Sequence, residues 1–422
     1  MDVDLDYAGK THTVHLPTDA TVKILEPRKI TRDKTDSQLI QGALHSPINA
    51  ENFDTFIAQY ESFLVIVNDH ARSTPTATIL KEVLPYLEEK DFKIIVASGT
   101  HIQPTKDILR TTIFKDLYPK LKDKILLHDA KESATVKIGH TSRGTPIRLN
   151  NVIKDFEAFI PINSIEPHYF AGYTGGRKSF MPGIAAYESI ESNHSMALQE
   201  SARILRLKGN PLHEDLEEAI AMFLEDHPTF AINAVLDGEG KIIQTFAGDI
   251  IEQLYHGAKL ARDIYAPEIE EKADILLSVV HAPLDKNLYQ AQKGLENCKF
   301  AVKDGGIFIL ISECKEGIGP PDYQEMLASG ETLDELYDIF KKRVERYELG
   351  WHKVGSIPEF LKTKDFWMVT TLSQDTATKI HVKPFYSIQK AVNEAIMKKG
   401  KEATIVIVKD SGNIAPQATS KT

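Results

Sequence analysis

Two α/β domains with mainly parallel sheets are the fold class this sequence predicts, on three observations. Short β-branched runs alternate with amphipathic helical stretches along most of the chain, the pattern of strands buried between layers of helices. The 422 residues, 42% of them apolar, suffice for two cores rather than one. The alternation also restarts after the charged stretch YAPEIEEKAD at 265–274, which places a boundary near residue 270. The expected organisation is an N-terminal domain over 1–270, a C-terminal domain over 271–410, and a tail, 411–422, that packs on the N-terminal domain or, over APQATSKT (415–422), is loosely ordered.

Taken in order, the start MDVDLDYAGKTHTVHLP alternates as a β-hairpin does. FLVIVND (63–69) reads as a strand running into HARSTP, where Thr74 suits the cap of a helix beginning at Pro75, with Ile79, Leu80, Val83, Leu84 and Leu87 as its apolar face. FKIIVASGTH (92–101) is a second strand ending in a Gly-Thr-His loop, and FEAFIPINSIEPHY (156–169) a third. In open parallel sheets ligands bind beyond the carboxyl ends of strands, so these three polar ends are expected to form one site. In the second domain the strands are ILLSVV (275–280), GGIFILIS (305–312), FWMVTTL (366–372) and ATIVIVKD (403–410), with NLYQAQKGLENCKFAV as a helix after the first.

Composition excludes several functions. Acidic residues outnumber Lys and Arg by 60 to 50, for a net charge of −10, and no long basic run offers a face to nucleic acid. No apolar run approaches a membrane span. Cys298 and Cys314 are too few for a disulfide framework, and the first residues lack a secretory pattern. A soluble cytoplasmic protein acting on small molecules is expected.

The chemistry concentrates in EPHYFAGYTGGRKSFMPGIAAYESIESNH, residues 166–194. GYTGGRKS (172–179) nearly fits a phosphate-binding P-loop but has Arg177 where that motif needs glycine. The glycines at 172, 175 and 176 still imply unusual backbone angles, with Lys178 presented from the loop. Taken alone, the loop also fits a tight turn with a surface lysine. His101 and His168 each follow a strand, and His194 lies sixteen residues beyond Lys178. Singly, each also fits a structural histidine; together with Asp69 and Arg72 at a third strand end they suggest a site. The spacing fits neither an HExxH zinc helix nor a Cys/His zinc site, which leaves a single histidine ligand with others as acid or base. In DKNLYQAQKGLENC, a cap at Asp285 or Asn287 puts Tyr289, Gln290 and Lys293 on one face of the first helical turns. Dipole and free amides at that helix start suit a carboxylate or phosphate, while an ordinary amphipathic helix fits the same residues.

The stretch PHYFAGYTGGRKSFMPGIAAYESIESNH, with DHARSTP, SGTH and LYQAQK, resembles the nickel-pincer lactate racemase family, over about residues 20–410. Members racemise or epimerise 2-hydroxy acids. The resemblance implies that Lys178 is linked through a thioamide to a pyridinium mononucleotide derived from nicotinic acid, whose two sulfurs and ring carbon bind nickel together with His194. It implies that His101 and His168 are the paired acid/base residues, that Asp69 and Arg72 lie by cofactor and substrate, and that Tyr289, Gln290 and Lys293 face the substrate carboxylate. It further implies an active site in a cleft between the two domains, and separate proteins that make the cofactor.

That mechanism meets independent demands. The Cα hydrogen of a 2-hydroxy acid is weakly acidic, so it leaves more readily as hydride to an electron-poor acceptor while a base takes the hydroxyl proton. Two enantiomers require a base in reach of the hydroxyl in each pose. Arg72 and Lys293 suit the carboxylate. The competing readings are a nucleotide-dependent transferase using the glycine loop and a non-catalytic cofactor-binding homologue. Trp351, His352 and Arg177 receive no role, and neither the particular hydroxy acid nor the oligomeric state is encoded in a recognisable motif.

Overall fold

A computed structural model describes residues 1–419, Val344 by its backbone alone. The chain forms two compact units, Lys29–Ile264 and a second made of Met1–Arg28 with Tyr265–Thr422. Each is built on a six-stranded sheet.

In the first unit the strand order is Ile242–Gly248, Ala231–Leu236, Ala158–Ser164, Ser62–Asn68, Asp91–Ala97, Ile125–Leu127. All neighbours are parallel except the first pair. The central strands are buried along nearly their whole length, as in SFLVIVN and AFIPINS, because helices cover a parallel sheet on both faces. The helix Thr76–Val83 and the turn Leu84–Leu87 bury Ile79, Leu80, Val83, Leu84 and Leu87 in this core, the face expected from the sequence. The expected cap differs. Pro75 takes the cap position without a side-chain bond, and the Thr74 hydroxyl accepts instead from Asn68 Nδ2 at 2.7 Å and meets Ser164 Oγ at 2.9 Å. Thr74 thus joins the ends of two adjacent strands, a partnership that outcompetes capping its own helix.

The second unit orders its strands Lys383–Phe385, Asp365–Val369, Val302–Ile311, Ala273–Val279, Thr404–Val408, Thr21–Leu25, all parallel. Alternate side chains enter opposite cores. Ile275, Leu277 and Val279 face the hairpin and the helix Ile388–Lys399, whereas Leu276 faces the helices Leu288–Cys298, Pro321–Leu327 and Trp351–Leu361.

The domain expectation needs correcting at both chain ends. Residues 1–28 join the second unit rather than the N-terminal one. Thr21–Leu25 completes the edge of its sheet against Thr404–Val408, and the hairpin Asp2–Tyr7/Lys10–His15 buries Val3, Leu5 and Val14 in its core. The tail is neither loose nor on the N-terminal unit. Asn297 Nδ2 donates to the carbonyls of Ser411 and Gly412 at 2.9 and 3.0 Å, and Gln417–Ala418 pairs with Glu268–Ile269. The last residues of the expected tail, 420–422, lie outside the described residues. No helix among the described residues is long and apolar enough to cross a membrane.

Leu5 is 1% exposed, so Leu5→Ala is expected to cost roughly 2–5 kcal/mol. Native-state hydrogen exchange is expected to localise the loss to Ala273–Val279 and its neighbours, leaving Ser62–Asn68 protected as in the wild type; uniform loss in both sheets would refute the assignment of the hairpin to the second unit.

Candidate functional site

Three adjacent parallel strands of the first unit end on one edge of its sheet: Ser62–Asn68 between Asp91–Ala97 and Ala158–Ser164. Successive strands run outward in opposite directions from here, the switch point at which an open α/β sheet leaves a crevice. Neighbouring strands lie about 5 Å apart, so Asp69, His101 and the segment beginning at Glu166 emerge close together. Asp69, 4% exposed, accepts from the Ala71 amide at 3.2 Å and meets His101 Nδ1 at 2.8 Å. A carboxylate there holds the proton on Nδ1 and leaves Nε2 as the basic atom. Arg72 is turned back by its amide bond to the Asp69 carbonyl, 3.3 Å.

His168 is presented differently. It pairs with Gly172 in a two-residue antiparallel ladder, and its Nδ1 accepts from the Ala171 amide at 3.3 Å. In the neutral ring the proton then sits on Nε2. The segment is braced from behind: Ser164 Oγ donates to Glu166 Oε1 at 2.8 Å, and the Thr174 hydroxyl donates to the Ser164 carbonyl at 2.8 Å.

The glycine loop is shaped by close approach. Gly172 has φ +76°, and a Cβ there would stand 2.1 Å from the Arg206 carbonyl oxygen, so only glycine fits. Three of the loop amides are already spent, Thr174 on the Glu166 carbonyl, Gly176 on Asn233 Oδ1 and Lys178 on the Gly175 carbonyl. Those three are not available to the amide cradle that a phosphate-binding loop requires. Arg177, which received no role from the sequence, is fully buried and donates to the carbonyls of Ala171 and Tyr173, both at 3.1 Å. It ties the loop to itself. Burial lowers its pKa to about 10, with Glu217 opposing.

Lys178 is 8% exposed, and no carboxylate pairs with it among the described residues. Burial, then the charges of Arg72 and Arg177, hold its amine well below the usual lysine range. Its Nζ lies 5.5 Å from the centre of the Phe170 ring. That ring is a hub: the His168 ring stands against it at 4.5 Å and the His194 ring at 4.9 Å. The two histidine rings are therefore no farther apart than the sum of those distances. Phe170 is itself held by Asn210, whose Nδ2 donates to its carbonyl at 2.8 Å while Oδ1 caps the helix Pro211–Leu224. His194 rides in the last turn of Tyr187–Ser195, which Asn193 anchors through Asp215 Oδ2 at 2.8 Å. Sequence reading overlooked Phe170 and Asn210. The Asn-Pro start of a helix was a visible signal for Asn210; nothing local marked Phe170.

Tyr289, Gln290 and Lys293 belong to the other unit, on the helix Leu288–Cys298 capped by Asn287. Of the two caps expected, Asp285 and Asn287, it is Asn287 that serves, and the first amides of the helix are not free. The amides of Leu288, Tyr289 and Gln290 are bonded to the carbonyls of Gly317 and Ile318 and to Asn287 Oδ1, so attraction for an anion on this face falls to side chains. His352 is kept neutral by burial, its pKa lowered to about 3, with Tyr347 OH 2.7 Å from Nδ1.

Among the described residues no three His, Cys, Asp or Glu side chains gather to hold a metal ion. A metal held at His194 therefore needs donors from a bound group. A buried amine is likewise relieved of its desolvation cost when acylated, because an amide or thioamide carries no charge. Both features fit a cofactor that is tethered to Lys178 and supplies most of the metal's ligands.

Lys178→Met is expected to stabilise the cofactor-free protein at neutral pH, since it replaces an amine whose protonated form burial disfavours with an apolar chain. Below the ordinary lysine pKa the unfolded chain binds this proton more tightly than the folded one, so wild-type stability rises with pH. The variant's advantage should accordingly shrink as the pH is raised towards 10.5, as read from urea midpoints; a variant less stable at every pH would contradict the buried-amine reading.

Comparisons with known proteins agree across the chain. Residues 7–205 match the family model described as the lactate racemase N-terminal domain, and residues 269–414 the lactate racemase C-terminal domain. The chain is 27% identical over 421 residues to a lactate racemase of Lactiplantibacillus plantarum, covering 97% of this chain and 98% of that protein. It is 26% identical over 406 residues to a lactate racemase of Thermoanaerobacterium thermosaccharolyticum, covering 90% and 94%. In fold it is similar to the lactate racemase apoprotein of the latter organism, with TM-score 0.90 at 24% identity over 99% of this chain and 100% of that one. A protein from Thermotoga maritima is similar with TM-score 0.69 at 18% identity, over 91% and 98%. With both domain families matched in order along one chain, this protein belongs to the lactate racemase family.

Proposed function

We propose that this chain is a nickel-dependent racemase or epimerase of a 2-hydroxy acid of the lactate type. The observation that carries the reading is the convergence of His168, Lys178 and His194 on one phenylalanine ring, beside an Asp69–His101 pair on a neighbouring strand end, in a chain of the lactate racemase family. Lys178 would tether a nickel-pincer pyridinium mononucleotide through a thioamide, and His194 would ligate its nickel. When bound, that group supplies an electron-poor hydride acceptor.

The protein's own residues then have separate tasks. A neutral Lys178 amine, favoured by burial, is the nucleophilic form of this side chain. His101 Nε2, basic because Asp69 holds Nδ1, takes the hydroxyl proton as the Cα hydrogen departs. His168 serves the hydroxyl of the opposite enantiomer; for either ring nitrogen to accept that proton the Ala171 bond to Nδ1 must yield, so the two histidines are unequal in the resting protein. Arg72 would bind substrate through its guanidinium, which suits a carboxylate, and Tyr289, Gln290 and Lys293 would be the substrate-binding residues that the second unit presents. Partners under this reading are the small hydroxy acid and the proteins that make and deliver the cofactor. Two buried, unpaired cysteines support a reducing, cytoplasmic setting.

Intact mass and nickel content of the protein co-expressed with cofactor-synthesis proteins test the tether. The wild type is expected to carry an adduct with about one nickel, Lys178→Ala none, and a panel of single-enantiomer hydroxy acids then identifies the substrate. No adduct, when a control enzyme is loaded in the same cells, would sink the reading. Asp69→Asn is expected to lower kcat by roughly 10²-fold or more by freeing the wrong tautomer of His101, with adduct mass unchanged; an unaltered kcat would remove His101 from the base role.

A further inference from the structure

The face carrying Tyr289, Gln290 and Lys293 is touched by a residue that the proposed mechanism does not use. Lys353, in the first turn of the helix Trp351–Leu361, places its ammonium 3.5 Å from the centre of the Tyr289 ring and donates to the Tyr289 carbonyl at 3.1 Å. Its position is set from its own backbone as well. The Lys353 carbonyl accepts from Gln292 Nε2 at 2.6 Å, and Gln292 Oε1 accepts from Tyr323 OH at 2.5 Å. Tyr323 in turn stands edge-on to Tyr289, ring centres 5.1 Å apart.

What this cation lacks is an anion. No carboxylate pairs with it among the described residues, and the acid whose charge reaches it, Glu296, is bound by Lys299 at 2.7 Å. Its other charged neighbour is a second cation, Lys293. Burial and then that like charge push Lys353 down to about 7, with Glu296 opposing. The like charge of Lys293 and its own burial both disfavour the Lys353 ammonium, and an anion set against it relieves the repulsion and the desolvation together. The helix amides at this face are already bonded, so side chains must do the holding.

We propose that Lys353 is a second carboxylate-anchoring residue, acting with Lys293 on the Tyr289 face to hold the carboxylate of the 2-hydroxy acid. The proposal rests on the reading of Tyr289, Gln290 and Lys293 as substrate-binding residues. A carboxylate fits because its two oxygens offer one acceptor to each ammonium at the cost of a single negative charge. The ring and carbonyl of Tyr289 keep the Lys353 ammonium in place before the ligand arrives, which lowers the ordering cost of binding.

Two measurements test it on the full chain. In the first, brief acetylation with N-hydroxysuccinimidyl acetate is mapped by peptide mass spectrometry, with DL-lactate, with inorganic phosphate, or with neither. Lactate is expected to slow acetylation at Lys353 roughly fivefold or more, and phosphate at the same concentration less than about twofold. In the second, Lys353→Met in the cofactor-loaded enzyme is expected to raise KM roughly tenfold with kcat changed less than about threefold, and Lys353→Arg to recover most of the loss. Urea midpoints of both variants check that they are folded. Acetylation indifferent to lactate, or an unchanged KM in folded Lys353→Met, overturns the proposal, and protection by phosphate equal to that by lactate overturns the carboxylate assignment. A loaded wild type that racemises no hydroxy acid, yet is protected at Lys353 by lactate, supports the anion site while refuting the racemase reading, so the two failures are separable.

Discussion

Two cations buried side by side, Arg177 and Lys178, set the terms for the first unit's site. A buried charge is costly unless its donors are met, and the two residues differ in how far they meet that requirement. Arg177 turns inward and spends its guanidinium on the carbonyls of Ala171 and Tyr173, which fixes the loop it belongs to. Lys178, its neighbour in sequence, has an aromatic face beside it and cations on the electrostatic horizon. The loop geometry that satisfies the first residue leaves the second unstable as an ammonium. Stability is given up at the amine where covalent chemistry is proposed, a common relation between strain and function.

The rest of the unit serves that arrangement. Parallel strands are rigid and buried along their length, so polar groups gather where the strands end. Thr74, Ser164, Glu166 and Thr174 lace those ends together. Asn210 and Asn233 play the same part from outside the sheet, the first by holding Phe170 and the second by holding Gly176. None of these side chains is given a part in the proposed reaction. They determine where such groups can stand, and a displaced loop would separate the Lys178 amine from the ring that His168 and His194 share.

The second unit shows a related economy on one helix. Leu288–Cys298 uses its apolar stripe for the core and its amides for the loop at Gly317–Ile318, which leaves only side chains for recognition. Lys353 reaches this face from another helix because Gln292 fixes the backbone there.

Much of this molecule was legible before its structure. Alternating strands and helices, the apolar face of Thr76–Val83, the Asn287 cap and the positive φ of the glycines at 172, 175 and 176 all follow from local patterns, because period, capping chemistry and backbone sterics act over a few residues. The motif through 166–194 likewise named His168, Lys178 and His194 together, since one continuous segment carries all three. Tertiary structure alone decided which sheet the first 28 residues complete, what Thr74 bonds, that Arg177 is fully buried, and that Phe170 is the hub of the site. Those outcomes depend on partners far apart in the chain, and burial, pairing and like-charge proximity have no local sequence period to betray them.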